Sequence, residues 1–349
     1  MNTRFERIDP DNIDNKIIED AGNIIKAGGL VAFPTETVYG LGGDALNAKS
    51  SEKIYAAKGR PSDNPLIVHI DTWDSMSVIC DDIPEAAKKL ADVFWPGPLT
   101  MIVKKNNKVP YETTGGLDTV AVRMPDHKVA LEFIKAAGGF IAAPSANTSG
   151  RPSPTLAEHV REDMDGRIEM ILDGGRVGIG VESTIVDLTD GKPVILRPGF
   201  ITEEMLEKVL GDVDTDRTIM EGTSKARPKA PGMKYRHYAP KASMTLVEGE
   251  TDDIARIMNE KTKESRENGL KVGIMCSSEV YDLVGGDVKV NLGNKDDEEE
   301  IARNIYKVLR DFDEDDVDVI YCQCFSKKGF GMAVMNRLLK AAGYNVIHE

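Results

Sequence analysis

LVAFPTETVYGLGGDA, residues 30–45, is the stretch whose reading decides the fold of the first half of the chain. Leu30 to Thr35 opens on an apolar run, and such a run predicts a buried strand. Further on, Gly40, Gly42 and Ala45 fit the spacing G-x-G-x-x-A of a dinucleotide-binding turn. That signature needs its glycines directly between a strand and a helix, where the backbone can approach a pyrophosphate. Here PTETVY intervenes before the glycines and DALNAK follows them, so the spacing predicts a glycine-rich turn without a cofactor. The phosphate-loop pattern G-x-x-x-x-G-K-[ST] is absent from the sequence, and any nucleotide must be held in another way.

Outward from this stretch, helical and extended patterns alternate. Ile17, Ile18, Ala21, Ile24 and Ile25 recur at helical spacing and Gly28-Gly29 ends that helix. Ser50 or Ser51 is placed to cap a short helix through Ala57, PLIVHI (65–70) reads as a strand, and a helix from Pro84 to Phe94 stops at WPGP. Further strands are predicted at LTMIVKK, TVAVRMP, FIAAPS, EMILDG, ESTIVDL and PVILRPG. So many strands with so few long helices predict an α/β fold, a mixed twisted sheet with flanking helices, over residues 1–210. Residues 211–245 lose the periodicity and hold TSKARPKAPGMKYRHYAPKAS, a linker or a functional loop. From about Met244, strands and helices alternate cleanly (MTLVEG, Asp252–Glu267, LKVGIMCS, VKVNLG, Glu298–Phe312, VDVIYCQCF, Gly331–Ala342) and predict a smaller, doubly wound domain over 246–349. The run DDEEE at 296–300 reads as the solvated first turn of a helix, where acids are favourable.

The 349 residues suit two domains, because single cores tend to split beyond about 250–300 residues. No apolar run approaches the ~20 residues of a membrane span, and MNTRFERIDPDNID has no apolar segment of the secretory kind. Cys80, Cys276, Cys322 and Cys324 show no metal-ligand or disulfide spacing, which fits buried thiols in a reducing cytoplasm. The net charge of −14 argues against a broad nucleic-acid surface. It is uneven: residues 1–210 carry 23 basic and 32 acidic groups, residues 246–349 carry 14 and 22, and residues 211–245 carry 7 and 4. The only basic stretch thus lies between two acidic halves.

The candidate site residues are individually ambiguous. Lys58-Gly59-Arg60 sets two cations just past a short helix, fit for phosphate or for the helix C-terminus itself. In TVAVRMP, period two puts Thr119, Ala121 and Arg123 on one face; the planar fork of Arg123 suits a carboxylate or phosphate as well as a surface ion pair. His69 lies opposite Leu66, Val68 and Ile70, where a satisfied core histidine is the ordinary finding. AAPSAN (142–147) joins small residues to two short polar side chains, Ser145 and Asn147, which leaves room for a ligand or forms a plain turn.

In order, these segments resemble the YrdC-type threonylcarbamoyl-adenylate synthase family. The matching stretches are VAFPTETVYGLG (31–42), KGRP (58–61), NPLIVHI (64–70), WPGPLT (95–100), GLDTVAVRMP (116–125), IAAPSAN (141–147), RPSPT (151–155), GVESTIVD (180–187) and LRPG (196–199). APGMKYRHYAP (230–240) resembles the interdomain loop of the longer, two-domain members, and the end resembles their Rossmann-like C-terminal domain. The resemblance implies a YrdC-like sheet with a central cavity, in an enzyme that makes threonylcarbamoyl-adenylate from L-threonine, bicarbonate and ATP and releases pyrophosphate. It implies Mg²⁺ with the ATP, and a product passed to a separate tRNA-modifying transferase. By similarity, threonine is held by Thr35, His69, Arg123, Ala143 and Ser183. The ATP site is lined by Lys58, Ser62, Thr119, Ser145, Asn147, Ser153, Arg197 and Tyr235, with Lys58 and Arg60 in the catalytic role and no resident metal site.

Two other readings use the same residues. A double-stranded RNA or tRNA-binding module would also employ Lys58, Arg60, Arg123 and Arg197, but the charge of −14 and the lack of stacking aromatics oppose it, leaving a weak tRNA contact at most. An ATP-dependent enzyme acting on a different amine is separable by a panel of amino acids. No residue stands out as a general base for the threonine amine. The basic, aromatic-containing loop at 230–240 reads as a lid closing over ATP, with Tyr235 on the nucleotide.

Overall fold

The computed structural model describes residues 2–216, 218–221, 228–229, 231 and 237–349. These fall into two compact units. The first takes the residues up to Ser149, those from Ser153 to Ile219, and 228, 229 and 231; the second takes Gly150–Pro152, 220–221 and 237–349.

The first unit is built on an eleven-stranded mixed sheet. Its strands are β1 (Arg4–Arg7), β2 (Val31–Phe33), β3 (Gly40–Asp44), β4 (Ile67–Ile70), β5 (Leu99–Lys104), β6 (Thr119–Arg123), β7 (Phe140–Ala143), β8 (Met170–Asp173), β9 (Thr184–Asp187), β10 (Val194–Arg197) and β11 (Asp214–Thr215). They lie in the order β1-β8-β2-β3-β7-β4-β6-β5-β9-β10-β11, with five parallel and five antiparallel pairings. The helices are α1 (Asn15–Lys26), α2 (Ala48–Lys58), α3 (Met76–Ile79), α4 (Glu85–Phe94), α5 (Lys128–Ala136), α6 (Ala157–Met164) and α7 (Glu203–Leu210), followed by the short α8 (Thr218–Glu221).

The amphipathic spacing of α1 shows why these elements assemble. Ile18, Ala21 and Ile25 share a stripe that packs with Val129, Ala130, Phe133 and Ile134 of α5 over β2 and β8. Each fully buried Ile or Phe side chain contributes roughly 1.5–3 kcal/mol. The side chain of Asp14 caps the start by accepting from the Lys16 amide at 2.9 Å, and the chain turns away at Gly28 with φ +78°.

Two local expectations change. The glycine run is a strand and not a turn: β3 pairs antiparallel with β2 and β7. Its glycines answer to packing, since a Cβ on Gly42 would lie 2.8 Å from Ile141 Cγ2. And α2 is capped by Asn47, whose side chain accepts from the Lys49 amide at 3.0 Å, while Ser50 and Ser51 lie buried within the helix. An Asn one residue before the helical run satisfies an end amide that a serine inside the first turn cannot reach.

The second unit is a five-stranded, wholly parallel sheet of β12 (Ser243–Glu248), β13 (Val272–Cys276), β14 (Val288–Asn291), β15 (Val319–Gln323) and β16 (Val346–His348), ordered β14-β13-β15-β12-β16. Its longer helices are α9 (Thr251–Glu267), α11 (Glu298–Glu314) and α12 (Gly331–Ala341), with the short α10 (Ser278–Tyr281). Val272, Ile274 and Cys276 point to the α9 side, where Ile254, Ile257 and Met258 cover them. Gly273, one residue out of phase, faces Phe312 of α11 on the other side, so helices cover both faces. Of the two free cysteines at the end of this strand, Cys322 is buried and Cys324, just past the end of β15, is half-buried.

Candidate active site

Strand register assembles the site in the first unit. Ile141 of β7 pairs with His69 of β4, His69 with Arg123 of β6, Arg123 with Thr100 of β5, and Thr100 with Ile185 of β9. Residues directly paired across strands share a face, so this row sets a histidine, an arginine and a threonine side by side. The residues two positions away on the same face, Ile67, Ala121 and Ile102, form an apolar floor with Ile185 and Leu196. Ala143 pairs with Ile67 in that second row.

His69 is held neutral. Burial, and then the positive charge of Arg123, pull its pKa down to about 3. Its Nδ1 lies 3.1 Å from the Ile67 carbonyl, which places the proton on Nδ1, and its ring meets Phe33 edge-on. Arg123 is 4% exposed. Its Nη2 stands 2.6 Å from Glu36 Oε2, but the carboxylate sits off the N–H directions, and among the described residues neither Nε nor Nη2 has an aligned hydrogen-bond partner. A buried donor without an aligned acceptor costs about 1–3 kcal/mol, more when charged, so an anion brought to this face could satisfy donors that Glu36 leaves unaligned. Glu36 escaped the sequence reading; a lone acid inside the otherwise uncharged PTETVYG was the available signal.

Next to the row, Ser183 is fixed from two sides. Its Oγ lies 2.7 Å from Thr100 Oγ1 and accepts from Arg197 Nη2 at 3.1 Å, while its carbonyl accepts from Arg197 Nε at 3.0 Å. Arg197 also donates to the Pro231 carbonyl, so it acts here as a strut between β10 and Ser183. Gly199 belongs to the same arrangement: a Cβ there would come within 2.4 Å of the Thr184 amide. Thr35 spends its hydroxyl proton on the Val38 carbonyl at 2.6 Å and shapes the loop after β2.

The cations of KGR do something other than wait in solvent. Lys58, 1% exposed, ends α2 and its Nζ donates to the carbonyls of Ser145 and Asn147. Ser145 Oγ in turn donates to Asn147 Oδ1 at 2.5 Å, and the Lys58 carbonyl accepts from the Ser149 amide. Lys58 therefore ties AAPSAN to the end of α2. Arg60 donates to the carbonyls of Asn64 and Pro65, clamping the turn into β4. Ser62 lies exposed in that turn and Thr119 half-buried at the start of β6. Ser153 donates to Glu182 at 2.5 Å, beside Ser183. Tyr235 and the rest of 232–236 lie outside the described residues, so the structure does not place the lid reading of 230–240.

Comparisons agree with this architecture. A family profile described as telomere recombination, covering Sua5, YciO and YrdC proteins, matches residues 23–199, and one described as the threonylcarbamoyl-AMP synthase C-terminal domain matches 201–343. A threonylcarbamoyl-AMP synthase of Pyrococcus abyssi is 51% identical over 337 residues, 97% of each chain. One of Bacillus subtilis is 47% identical over 331 residues, 95% of this chain and 94% of its own. The crystal structure of P. abyssi Sua5 complexed with L-threonine superposes with a TM-score of 0.95 at 49% identity, over 99% of this chain and 100% of that one. With both profiles matched in order and half the residues shared along nearly the full length, the chain belongs to the Sua5–YciO–YrdC family, in its two-domain form.

Proposed function

We propose that the chain makes threonylcarbamoyl-adenylate from L-threonine, bicarbonate and ATP, for the threonylcarbamoyl modification of tRNA adenosine. The observation that carries the reading is Arg123: a buried guanidinium with unaligned donors, on a sheet face whose next residues are a neutral histidine and a threonine. Its planar fork matches the α-carboxylate of an amino acid. Ser183, oriented by Arg197, is the group to read the substrate hydroxyl. A site that hydrogen-bonds a hydroxyl rejects analogues lacking it far better than an apolar pocket can. His69 and Ala143 complete the threonine end, with Thr35 shaping the loop over it.

The reaction divides in two. The neutral threonine amine adds to bicarbonate and loses water to give a carbamate; a carbamate oxygen then attacks the α-phosphorus of ATP as the bond to the β-phosphate oxygen breaks and pyrophosphate leaves. Bringing an anion to a triphosphate demands positioning and positive charge more than covalent help. Lys58 meets both needs, because it holds the Ser145–Asn147 loop while carrying its charge into the buried site. Arg60, Arg197, Ser62, Thr119, Ser145, Asn147 and Ser153 make up the rest of the proposed nucleotide side. Mg²⁺ is read as entering with ATP, bound by phosphate oxygens and water as suits a hard cation. Among the described residues no three His, Cys, Asp or Glu side chains converge as ligands, and no helix is long and apolar enough to cross a membrane. The adenylate, a reactive mixed anhydride, goes to a separate transferase in the cytoplasm.

The test is pyrophosphate release from ATP with threonine and bicarbonate omitted in turn. Release requires both; full release with threonine alone in bicarbonate-depleted buffer would indicate ordinary aminoacyl-adenylation and reject the reading.

A further inference from the structure

Glu36 is the residue the reading above leaves without a task. Both its carboxylate oxygens are buried and neither has a hydrogen-bond partner among the described residues, although its side chain is 12% exposed overall. Its backbone is not loose: the Glu36 carbonyl accepts from the Ile179 amide at 2.9 Å, and the neighbouring Thr37 carbonyl from the Gly180 amide at 3.1 Å. The carboxylate is therefore held in place beside Arg123 Nη2 at 2.6 Å without being aligned on it. Removing two charges from water is expensive, and their mutual attraction offsets that cost only when the remaining lone pairs and protons are also satisfied. Here they are not, on either side of the pair. A ligand that brings an anion for the guanidinium and a cation for the carboxylate would satisfy both at once, with no net charge added. An α-amino acid is such a zwitterion.

We infer that Glu36 receives the α-amino group of the amino-acid substrate, while Arg123 takes its carboxylate; the inference rests on the threonine reading of Arg123. The assignment makes Glu36 the residue that demands an amine, and not merely a hydroxy acid, at the nucleophilic position. It also fits the next species. The bound ammonium releases one proton to solvent before the neutral amine adds to bicarbonate, and after carbamoylation the nitrogen keeps one N–H, which the same carboxylate can accept. The new carbamate anion is repelled by Glu36 and so directed away from it. The competing role is orientation alone, in which Glu36 only steadies Arg123. The two differ in a measurable way, because an orienting residue serves every carboxylate ligand equally.

The experiment compares binding of L-threonine and of 2,3-dihydroxybutanoate, its analogue with hydroxyl in place of the amine, by calorimetry to the full chain without ATP. The wild type should prefer threonine by at least about tenfold, the order expected for a charge-assisted hydrogen bond. Glu36→Gln and Glu36→Ala should each bring the two ligands to within about threefold, by weakening threonine and leaving the hydroxy acid where it was. Equal weakening of both ligands would reduce Glu36 to orienting Arg123, and an unchanged preference would remove it from the amine altogether; either overturns the inference. If the alanine variant does not fold, the isosteric glutamine variant decides. Wild-type protein that releases no threonine-dependent pyrophosphate would instead defeat the functional reading itself.

Discussion

Replacing Lys58 by methionine keeps most of the apolar stem of the side chain and removes its charge and donors. In the structure Lys58 Nζ bonds two backbone carbonyls, those of Ser145 and Asn147, and lies 3.4 Å from Asn147 Oδ1. A hydrogen bond from a charged donor is worth about 1.5–3 kcal/mol, so losing the two main ones predicts a loss of about 3–6 kcal/mol. For a unit of this size that corresponds to a fall in Tm of about 6–24 °C, read by calorimetry. The same loop carries Ser145 and Asn147 of the proposed nucleotide side, so kcat for pyrophosphate release should fall by more than a hundredfold. The KM for threonine should change by less than about threefold, because His69, Thr100 and Arg123 stand on β4, β5 and β6, and Ala143 stays held in β7 by its pairing with Ile67. A variant with unchanged Tm would refute the clamp. A variant with normal kcat and a raised KM for threonine would refute the placement of Lys58 on the nucleotide side.

Three further outcomes follow from other parts of the structure. Gly199→Ala drives a Cβ to 2.4 Å from the Thr184 amide and should cost more than about 3 kcal/mol in urea unfolding while raising the KM for threonine, since Ser183 must shift with it. His69 has a folded pKa of about 3 against 6.5 when unfolded, so the unfolded chain binds the extra proton between those values. Its contribution is thus present above pH 6.5 and is lost as pH falls toward 3, by at most about 5 kcal/mol; His69→Gln should flatten stability over that window in a pH series of melts. Burial pushes the Cys80 and Cys324 thiols up to about 12, that of Cys276 to about 11, and that of Cys322 well above its usual value. Native protein at pH 8 should therefore resist iodoacetamide, and all four thiols should react in urea; rapid native labelling of any would contradict this.

What the sequence disclosed and what it hid have physical causes. Apolar strands such as PLIVHI and LTMIVKK were legible because burial on both faces leaves continuous apolar runs. The strand GLGGD was not, because its glycines respond to Ile141 on a neighbouring strand, a contact invisible to local propensity. The short helices α5, α6 and α7 were passed over, and so was the edge strand β16, three residues long, which among the described residues pairs only with β12. At the site, residue types were readable but not their employment. Lys58 and Arg60 were readable as charge for phosphate or for the helix C-terminus, and Arg197 as charge for phosphate; each donates to backbone carbonyls, since a positive charge that can reach a loop will satisfy it. Glu36 was missed because only the three-dimensional fold sets it against Arg123.

The central claim, that the nucleophile on ATP is a carbamate built from threonine and bicarbonate, is tested most directly by isotope. Protein incubated with ATP, Mg²⁺, L-threonine and ¹³C-bicarbonate should yield an adenylate heavier than the unlabelled product by the isotope difference. The label should be lost together with AMP-linked threonine when Arg123 is replaced by leucine. A threonine-containing adenylate that forms without the label would contradict the account, because the amino acid would then have attacked ATP through its own carboxylate.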